Sequence, residues 1–244
     1  GSLCGTAVQT GTVKGYDSAV MKSAIAVEKP ELWLIDKPNL YRVKARVSGD
    51  FGEHFQCVET GLRTIRYDAD EGFFLNGEHM KLKGVSRHQD RENLGNALTL
   101  KEHAEDIEII KEVGANSIRL AHYQHDEKFY DLCDEEGFLV WAEVPVISRF
   151  SRKKQPQARL MLEELIKQNY NHPSIYCWSV QNEISIAGAA PSLVSGIREL
   201  NDIAHRLDLT GECSGGVLPD KLQAQRHHRH SRLQSVFRLV CADR

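Results

Sequence analysis

The first third of the chain contains short runs in which apolar and polar residues alternate. Residues 24–27, 41–47 and 55–60 show this period of two, which is typical of β-strands with one buried face. Pro30 and Pro38 lie between the runs, where a missing amide hydrogen disturbs no hydrogen-bond ladder. The pattern predicts part of an antiparallel β-sandwich over residues 1–66.

From Gly72 onward, short apolar strands are followed by amphipathic helices. The predicted strands cover residues 82–85, 117–120, 138–142 and 175–180. Thr99 and Glu102 form a capping box at the start of the first helix. Asp126 is suited to cap the second helix, and Gly137 to end it. Each strand is therefore expected to lead into a helix.

Four strand–helix units in succession predict a parallel α/β arrangement. A (β/α)8 barrel needs ~250 residues, so residues 67–210 are expected to hold only its first half. The predicted fold class is multidomain β plus α/β, with a partial sandwich followed by the first half of a TIM barrel. Residues 211–244 are assigned as an aberrant tail.

Composition restricts the class of protein further. The 244 residues are 41% hydrophobic and 27% charged with a net charge of −3, which argues against nucleic-acid and membrane-surface partners. No apolar run approaches the ~20 residues of a spanning helix, and no signal peptide is visible. Six cysteines are scattered without C-x-x-C spacing. We expect reduced thiols in a cytoplasmic protein.

Polar side chains follow each predicted barrel strand, at the end where barrel enzymes place their chemistry. These residues are Arg87, His88, His122, Tyr123, Glu143, Asn182 and Glu183. Glycoside cleavage requires one carboxylic acid to protonate the leaving oxygen and a second carboxylate to attack or to activate water. Imidazole and amide groups are suited to binding sugar hydroxyls. His103 and His125, in contrast, are expected at the surface.

Two segments resemble the signatures of glycoside hydrolase family 2. Residues 116–123 (NSIRLAHY) with 134–141 (DEEGFLVW) resemble the first signature, and residues 171–183 (NHPSIYCWSVQNE) resemble the second. Residues 83–90 (KGVSRHQD) are similar to the family's first barrel strand and its loop. Residues 30–33 (PELW) and 38–41 (PNLY) resemble the immunoglobulin-like domain before that barrel. Within this family, the sequence pattern is most similar to that of bacterial β-galactosidases.

The resemblance implies a role for each candidate site residue. Glu183 would be the general acid and then the general base, and Asn182 would bind the sugar 2-hydroxyl. His88 and His122 would contact the sugar and stabilise the transition state, while Arg119 would orient the nucleophile carboxylate. An acid at Glu183 would need a raised pKa.

The resemblance also implies where the chain departs from the family. The family's magnesium-binding Glu-x-His aligns with residues 147–149 (ISR), so we predict no metal and no cofactor. The nucleophile Glu belongs to the seventh barrel strand, which this chain lacks. We expect a truncated chain with weak or no activity, and little stability because its fourth strand would expose an unpaired edge.

Three functions remain open on this basis. The first is hydrolysis of terminal β-D-galactosides by a retaining double displacement with Glu183 as acid/base. The alternatives are a β-glucuronidase of the same family and a non-catalytic carbohydrate-binding fragment. The resemblance leaves room for a homo-oligomer of the full-length enzyme.

The tail after residue 210 has its own hypothesis. Residues 223–232 (QAQRHHRHSR) have neither helical nor strand periodicity. Codons can be chosen for residues 224–242 that, read one base later, spell LNAITDIVAYSLFSGWYV, which has an apolar strand and an aromatic ending. We therefore predict that the tail is translated out of frame.

Overall fold

The computed structural model describes residues 1–15, 17–148, 151–184, 191–208 and 212–214. The strands are β1 Tyr41–Gly49, β2 Gly52–Thr60, β3 Ile65–Asp68, β4 Gly72–Leu75, β5 Glu78–Met80, β6 Gly84–Arg87, β7 Ser117–Leu120, β8 Leu139–Glu143, β9 Ile175–Ser179 and β10 Glu212–Ser214. The helices are α1 Leu100–Glu112, α2 Glu127–Glu136, α3 Gln155–Asn169 and α4 Pro191–Leu207.

The N-terminal part contains two small antiparallel sheets. Strands β1 and β2 form a hairpin in register from Tyr41 opposite Thr60 to Gly49 opposite Gly52, as the alternation predicted. Strands β3, β4 and β5 form a three-stranded meander. The strand predicted at residues 24–27 is wrong, because that segment is exposed or half-buried and outside any strand. Among the described residues it pairs with no strand, and a strand requires the hydrogen bonds of such a pairing.

The central sheet has five parallel strands in the order β10, β9, β8, β7, β6. The four predicted strand–helix units are all present. A fifth strand, Glu212–Ser214, pairs with Cys177–Ser179 of β9, so the expectation that the fourth strand has an unpaired edge is wrong over these residues. The rest of the predicted tail, residue 211 and residues 215–244, lies outside the described residues.

The two faces of the parallel sheet contribute to different apolar clusters. Ile118, Leu120, Val140 and Ala142 pack with the helices in the larger cluster. The opposite face contributes Leu139, which packs in a second cluster with the small meander; the other members of that cluster include Trp33, Ile65, Phe73, Leu75, Tyr176 and Cys177. The meander thus covers the sheet face opposite the helices, near the amino ends of the strands.

The segment before the meander anchors this end. Trp33 is 0% exposed, and its indole nitrogen donates a 2.9 Å hydrogen bond to the Asp134 carbonyl. The Arg63 guanidinium donates to the carbonyls of Pro173 and Ile175, at the start of β9. These contacts lie at the amino ends of the strands, which leaves the carboxyl ends for the site.

Gly137 tests the contact between α2 and the segment that precedes the meander. It ends α2 with a φ of 76°, and a Cβ at this position would lie 1.9 Å from the Ile35 carbonyl oxygen. We expect Gly137→Ala to destabilise the fold by ~3 kcal/mol or more, because left-handed strain and a backbone collision act together. Denaturant unfolding followed by circular dichroism measures the loss.

Gly114 is the matched control for Gly137. It also has a left-handed φ, of 72°, but no atom lies within 4 Å of a Cβ built there. Gly114→Ala should therefore cost only the backbone strain, about 1–2 kcal/mol. Equal losses for the two variants would show that the contact with Ile35 does not constrain the fold.

His172 and Asp134 form a buried pair at the same end of the sheet. Nδ1 of His172 lies 2.6 Å from Oδ2 of Asp134, and the Ser174 amide donates to Oδ1 at 3.1 Å. Burial opposes a charged imidazole here, but the charge and hydrogen bond of Asp134 outweigh it and raise the pKa of His172 above 6.5. The folded protein therefore favours the charged form of His172 more than the unfolded chain does.

This pair makes stability depend on pH. The raised pKa of His172 stabilises the fold, and this contribution is fully present below about pH 6.5. It is lost as the pH rises through the pKa of the folded state. Its size is ~1.4 kcal/mol for each unit by which the folded pKa exceeds the unfolded pKa. Between pH 6 and pH 9 we expect the free energy of unfolding to fall less steeply in His172→Gln than in the wild type. The exposed His79→Gln is the control, and an identical slope in all three proteins would contradict the prediction.

Candidate active site

The carboxyl ends of β8 and β9 are joined beyond the regular strands. The Asn182 amide donates to the Val146 carbonyl at 2.8 Å, and the Ser148 amide donates to the Asn182 carbonyl at 3.0 Å. Ile147 and Asn182 form an isolated parallel bridge. These bonds fix the backbone that carries Asn182 and Glu183 at the rim of the sheet.

Arg119 of β7 is the centre of the polar cluster at this rim. Its Nε donates to Oε1 of Glu143 at 2.7 Å, and one terminal nitrogen lies 3.2 Å from Oε2. The same nitrogen donates to Oδ1 of Asn182 at 2.7 Å. One guanidinium thus ties the ends of three neighbouring strands together.

The bond from Arg119 determines how the Asn182 amide is turned. A guanidinium has only donors, so the atom of Asn182 that faces it must be the carbonyl oxygen. The Nδ2 group is then left as the donor side of the amide. This orientation is the one required to donate to a sugar hydroxyl oxygen.

His88 and His122 lie beside the cluster. Their ring centroids are 5.2 Å apart in an edge-to-face arrangement, and Nδ1 of His122 lies 2.8 Å from Oε2 of Glu143. The hydroxyl of Tyr123 accepts a hydrogen bond from the Gln89 amide at 3.1 Å, which links the loops after β6 and β7. The two imidazoles therefore border one polar surface.

Glu183 is exposed and directly follows Asn182. Its φ is 53°, in the left-handed region that costs a residue with a side chain about 1–2 kcal/mol. Such conformations persist where the surrounding structure imposes them, and they concentrate at functional sites. The bridge at Asn182 supplies that constraint, so the Glu183 backbone has a fixed position at the rim.

The structure brings together Arg119, His122 and Asn182, with His88 at their edge and Glu183 next in the chain. Glu143 is buried within the cluster beside Arg119, although in the sequence it was marked only by its place after a predicted strand. Its burial next to two predicted site residues could be inferred only from the fold. The expected partner of Arg119, a nucleophile carboxylate, stays a prediction.

The expectation that His103 and His125 lie at the surface is wrong, since they are 1% and 3% exposed. Arg87 explains their burial. Its guanidinium lies 2.9 Å from Nδ1 of His103 and 3.0 Å from Nδ1 of His125, and it stacks 3.8 Å from the ring centroid of Phe129. It also forms a 2.7 Å ion pair with Asp106.

The Arg87 cluster supports the loop that carries His122. Burial lowers the pKa of His125 to about 3, and the charge of Arg87 acts in the same direction. The neutral ring accepts from Arg87 at Nδ1 and donates from Nε2 to the Ala121 carbonyl at 3.2 Å. The residue immediately before His122 is thereby held by a buried hydrogen-bond relay.

The donor set does not fit the family's magnesium ion. Ile147 has no ligand atom, and Ser148 stands where the sequence alignment would place a spacer. Within the residues that the structure describes, no three His, Cys, Asp or Glu side chains are grouped as a metal site.

The parallel sheet thus carries Arg119 within β7, His122 after β7, and Asn182 and Glu183 after β9. Residues 68–212 match the family model "Glycosyl hydrolases family 2, TIM barrel domain", and residues 4–63 match "Glycosyl hydrolases family 2". The chain belongs to glycosyl hydrolase family 2. The resemblance found in the sequence is confirmed.

Similar proteins include enzymes with two sugar specificities. The FMN-binding β-glucuronidase of F. prausnitzii L2-6 is 47% identical with a TM-score of 0.74, over 77% of this chain and 30% of that one. A β-glucuronidase of Bacteroides fragilis is 40% identical over 76% of this chain and 28% of its own. A β-galactosidase of Thermoanaerobacter pseudethanolicus is 33% identical over 79% and 26%. The chain thus spans between a quarter and a third of these relatives.

The helices of the described part of the chain are not of the transmembrane kind. None of them combines the length and the apolar character that crossing a bilayer requires.

Proposed function

We propose that the full-length protein, obtained by restoring the reading frame after residue 210 and called here the complete gene product, hydrolyses terminal β-D-glycosides with retention of configuration, and that Glu183 is its acid/base. The observation that carries this proposal is the cluster in which Arg119 holds Asn182 at the rim, directly before Glu183. Glu183 first gives its proton to the glycosidic oxygen as the bond to the anomeric carbon breaks. It then takes a proton from the water that releases the sugar.

The second carboxylate of a retaining mechanism must come from outside this cluster. Glu143 is 1% exposed, and its two oxygens accept from Arg119 and His122, so it is not free to attack an anomeric carbon. Glu183 is the exposed carboxylate of the site. The 244-residue chain alone is therefore proposed to turn over weakly or not at all.

The sugar is proposed from the relatives. The resemblance in sequence favours β-D-galactosides, with β-D-glucuronides as the alternative. The similar proteins named β-glucuronidase share 47% and 40% identity with this chain, whereas the named β-galactosidase shares 33%. We therefore propose β-D-glucuronides as the preferred substrates and β-D-galactosides as the second candidate.

A substrate comparison tests this proposal. The gene product is assayed with 4-nitrophenyl β-D-glucuronide and 4-nitrophenyl β-D-galactoside, and the first-formed anomer is observed by NMR. We expect the β-anomer and a kcat/KM at least about tenfold higher for the glucuronide, as one well-placed recognition interaction gives. A higher value for the galactoside selects the second candidate, and no hydrolysis by the folded protein contradicts the function.

The carbohydrate-binding alternative has a different signature. Titration calorimetry of the 244-residue chain with methyl β-D-glucuronide and methyl β-D-galactoside measures binding without turnover. A binding fragment would retain its affinity in Glu183→Gln, and its complete gene product would hydrolyse neither sugar.

Two further proposals concern the reading frame of the gene and the cellular location of the protein. Nucleotide sequencing from the codon of residue 209 onward tests the predicted frame change, and an uninterrupted frame through residue 244 would contradict it. A cytoplasmic location is proposed from the free thiols of Cys4, Cys57 and Cys133, which fit a reducing compartment.

A further inference from the structure

Glu143 is the most buried member of the site cluster. It ends β8, one strand away from Arg119 of β7. The register places Arg119 opposite Trp141, so Glu143 lies two residues further along and on the same face of the sheet. A side chain in this place is set by two regular strands rather than by a loop.

We propose that Glu143 is a positioning residue that holds His122 in the tautomer with hydrogen on Nδ1 and orients Arg119 towards Asn182. His122 then presents an unprotonated Nε2 to the substrate, while Asn182 presents its Nδ2 donors. The orientations of His122 and Arg119 are argued from distances in the structure alone. What these orientations mean for a bound substrate rests on the proposed function.

The tautomer follows from the donors and acceptors around Glu143. Its carboxylate lies against a permanently charged guanidinium and is an acceptor only. Nδ1 of His122 is 2.8 Å from Oε2, so a hydrogen must lie on Nδ1 to make that contact a hydrogen bond. Arg119 also directs an N–H towards this nitrogen at 3.2 Å, but the contact with Oε2 is shorter, and a bare Nδ1 facing a carboxylate oxygen would be repulsive, so the hydrogen is assigned to Nδ1.

Burial makes this arrangement decisive. The Glu143 side chain is 2% exposed, whereas those of His122 and Arg119 are 24% and 32% exposed. Among the described residues, these two side chains donate the hydrogen bonds to this buried carboxylate, and a partner lost there is not easily replaced by water. Their exposed edges are left to face a ligand.

This arrangement fixes which side chain accepts a hydrogen bond from the substrate and which one donates. An unprotonated Nε2 accepts a hydrogen bond from a sugar hydroxyl, and the Nδ2 group of Asn182 donates one to a hydroxyl oxygen. A hydroxyl group can satisfy both demands because it is a donor and an acceptor. Reversal of the His122 tautomer would place a donor where the site requires an acceptor.

Glu143→Gln tests the inference without changing the size of the side chain. Arg119 requires the carbonyl oxygen of the new amide at the Oε1 position, so the amide nitrogen falls near Nδ1 of His122 and donates to it. We expect the hydrogen of His122 to move from Nδ1 to Nε2. Long-range proton–nitrogen NMR correlation on the histidine-labelled 244-residue chain at pH 8, where a free imidazole is neutral, reports the tautomer.

The wild-type spectrum is informative by itself, since it must show His122 with hydrogen on Nδ1. His172 is the internal control in both proteins, because its own carboxylate partner is Asp134 and its signals should not move. Hydrogen on Nε2 of wild-type His122, or an unchanged tautomer in a folded Glu143→Gln protein, would overturn the inference.

The kinetic consequence is measured separately in the complete gene product. Glu143→Gln should lower kcat/KM by roughly 10- to 100-fold, the size of effects from partners that orient a site residue. An inactive wild-type gene product whose His122 carries hydrogen on Nδ1 would contradict the proposed function and leave the positioning role supported. An active enzyme with the opposite tautomer would overturn the positioning role alone.

Discussion

Glu183→Gln is expected to lower kcat/KM of the complete gene product by about 10³-fold on an alkyl β-glycoside, within the range for loss of a general acid. An alkoxide leaves slowly without a proton, and a glutamine at this position cannot supply one. The hydrogen bonds that join Arg119 to Glu143 and Asn182 do not involve the Glu183 side chain. Binding of the sugar should therefore be retained, and the loss should fall on kcat.

The same variant should behave differently with a good leaving group. A nitrophenolate departs with little help, so the first step is only slightly slowed, while release of the sugar still lacks its base. The glycosyl-enzyme then accumulates, and both kcat and KM fall for nitrophenyl substrates. Exposed Glu127→Gln on α2 is the control with unchanged kinetics. An equal loss of kcat/KM for alkyl and nitrophenyl substrates would contradict the assignment of Glu183 as the acid/base.

Arg87→Met is expected to cost about 3–5 kcal/mol of stability, as removal of one partner from a buried ion pair does. Arg87 is 6% exposed, and four side chains from other elements surround its guanidinium. Methionine preserves much of the apolar contact with Phe129 but leaves the Nδ1 atoms of His103 and His125 without their donor. Urea unfolding at neutral pH measures the change.

Arg66 is a matched control for Arg87. It also stacks on an aromatic ring, 3.6 Å from the centroid of Phe74, and pairs with Asp68 and Glu71. Its side chain is 39% exposed, however, and exposed pairs contribute only about 0–1 kcal/mol. Arg66→Met should therefore cost far less than Arg87→Met, and similar losses would contradict the role given to burial.

Local sequence signals predicted the regular elements well. The capping box of Thr99 and Glu102 is present at α1, and Asp126 and Gly137 cap α2 as expected. These signals are readable because each involves residues within one turn of each other. The order of short strands and helices then restricts the sheet to a parallel arrangement.

Features that depend on distant partners were missed. His103 and His125 have polar side chains in polar stretches, and only the folded position of Arg87 explains their burial. The strand at Glu212–Ser214 is too short to have a periodicity of its own, and its pairing with β9 defines it. Residues 24–27 have the alternation of a strand, but pairing in three dimensions decides whether such a segment becomes one.

The candidate site shows the same division. Asn182 and Glu183 could be selected from a motif, whereas the role of Glu143 depends on the register between β7 and β8. A glutamate after a strand has no distinctive pattern in a single sequence. Its contacts with Arg119 and His122 become visible only when the strands are adjacent.

The central claim is that Glu183 is the acid/base of a retaining glycosidase, and azide rescue of Glu183→Ala in the complete gene product tests it most directly. Azide needs no general base, so it can enter the space left by the carboxylate and attack the glycosyl-enzyme in place of water. We predict restored turnover of a nitrophenyl β-glycoside with a β-glycosyl azide as product, identified by NMR. Absence of rescue in a folded variant, or an α-glycosyl azide, would contradict the account.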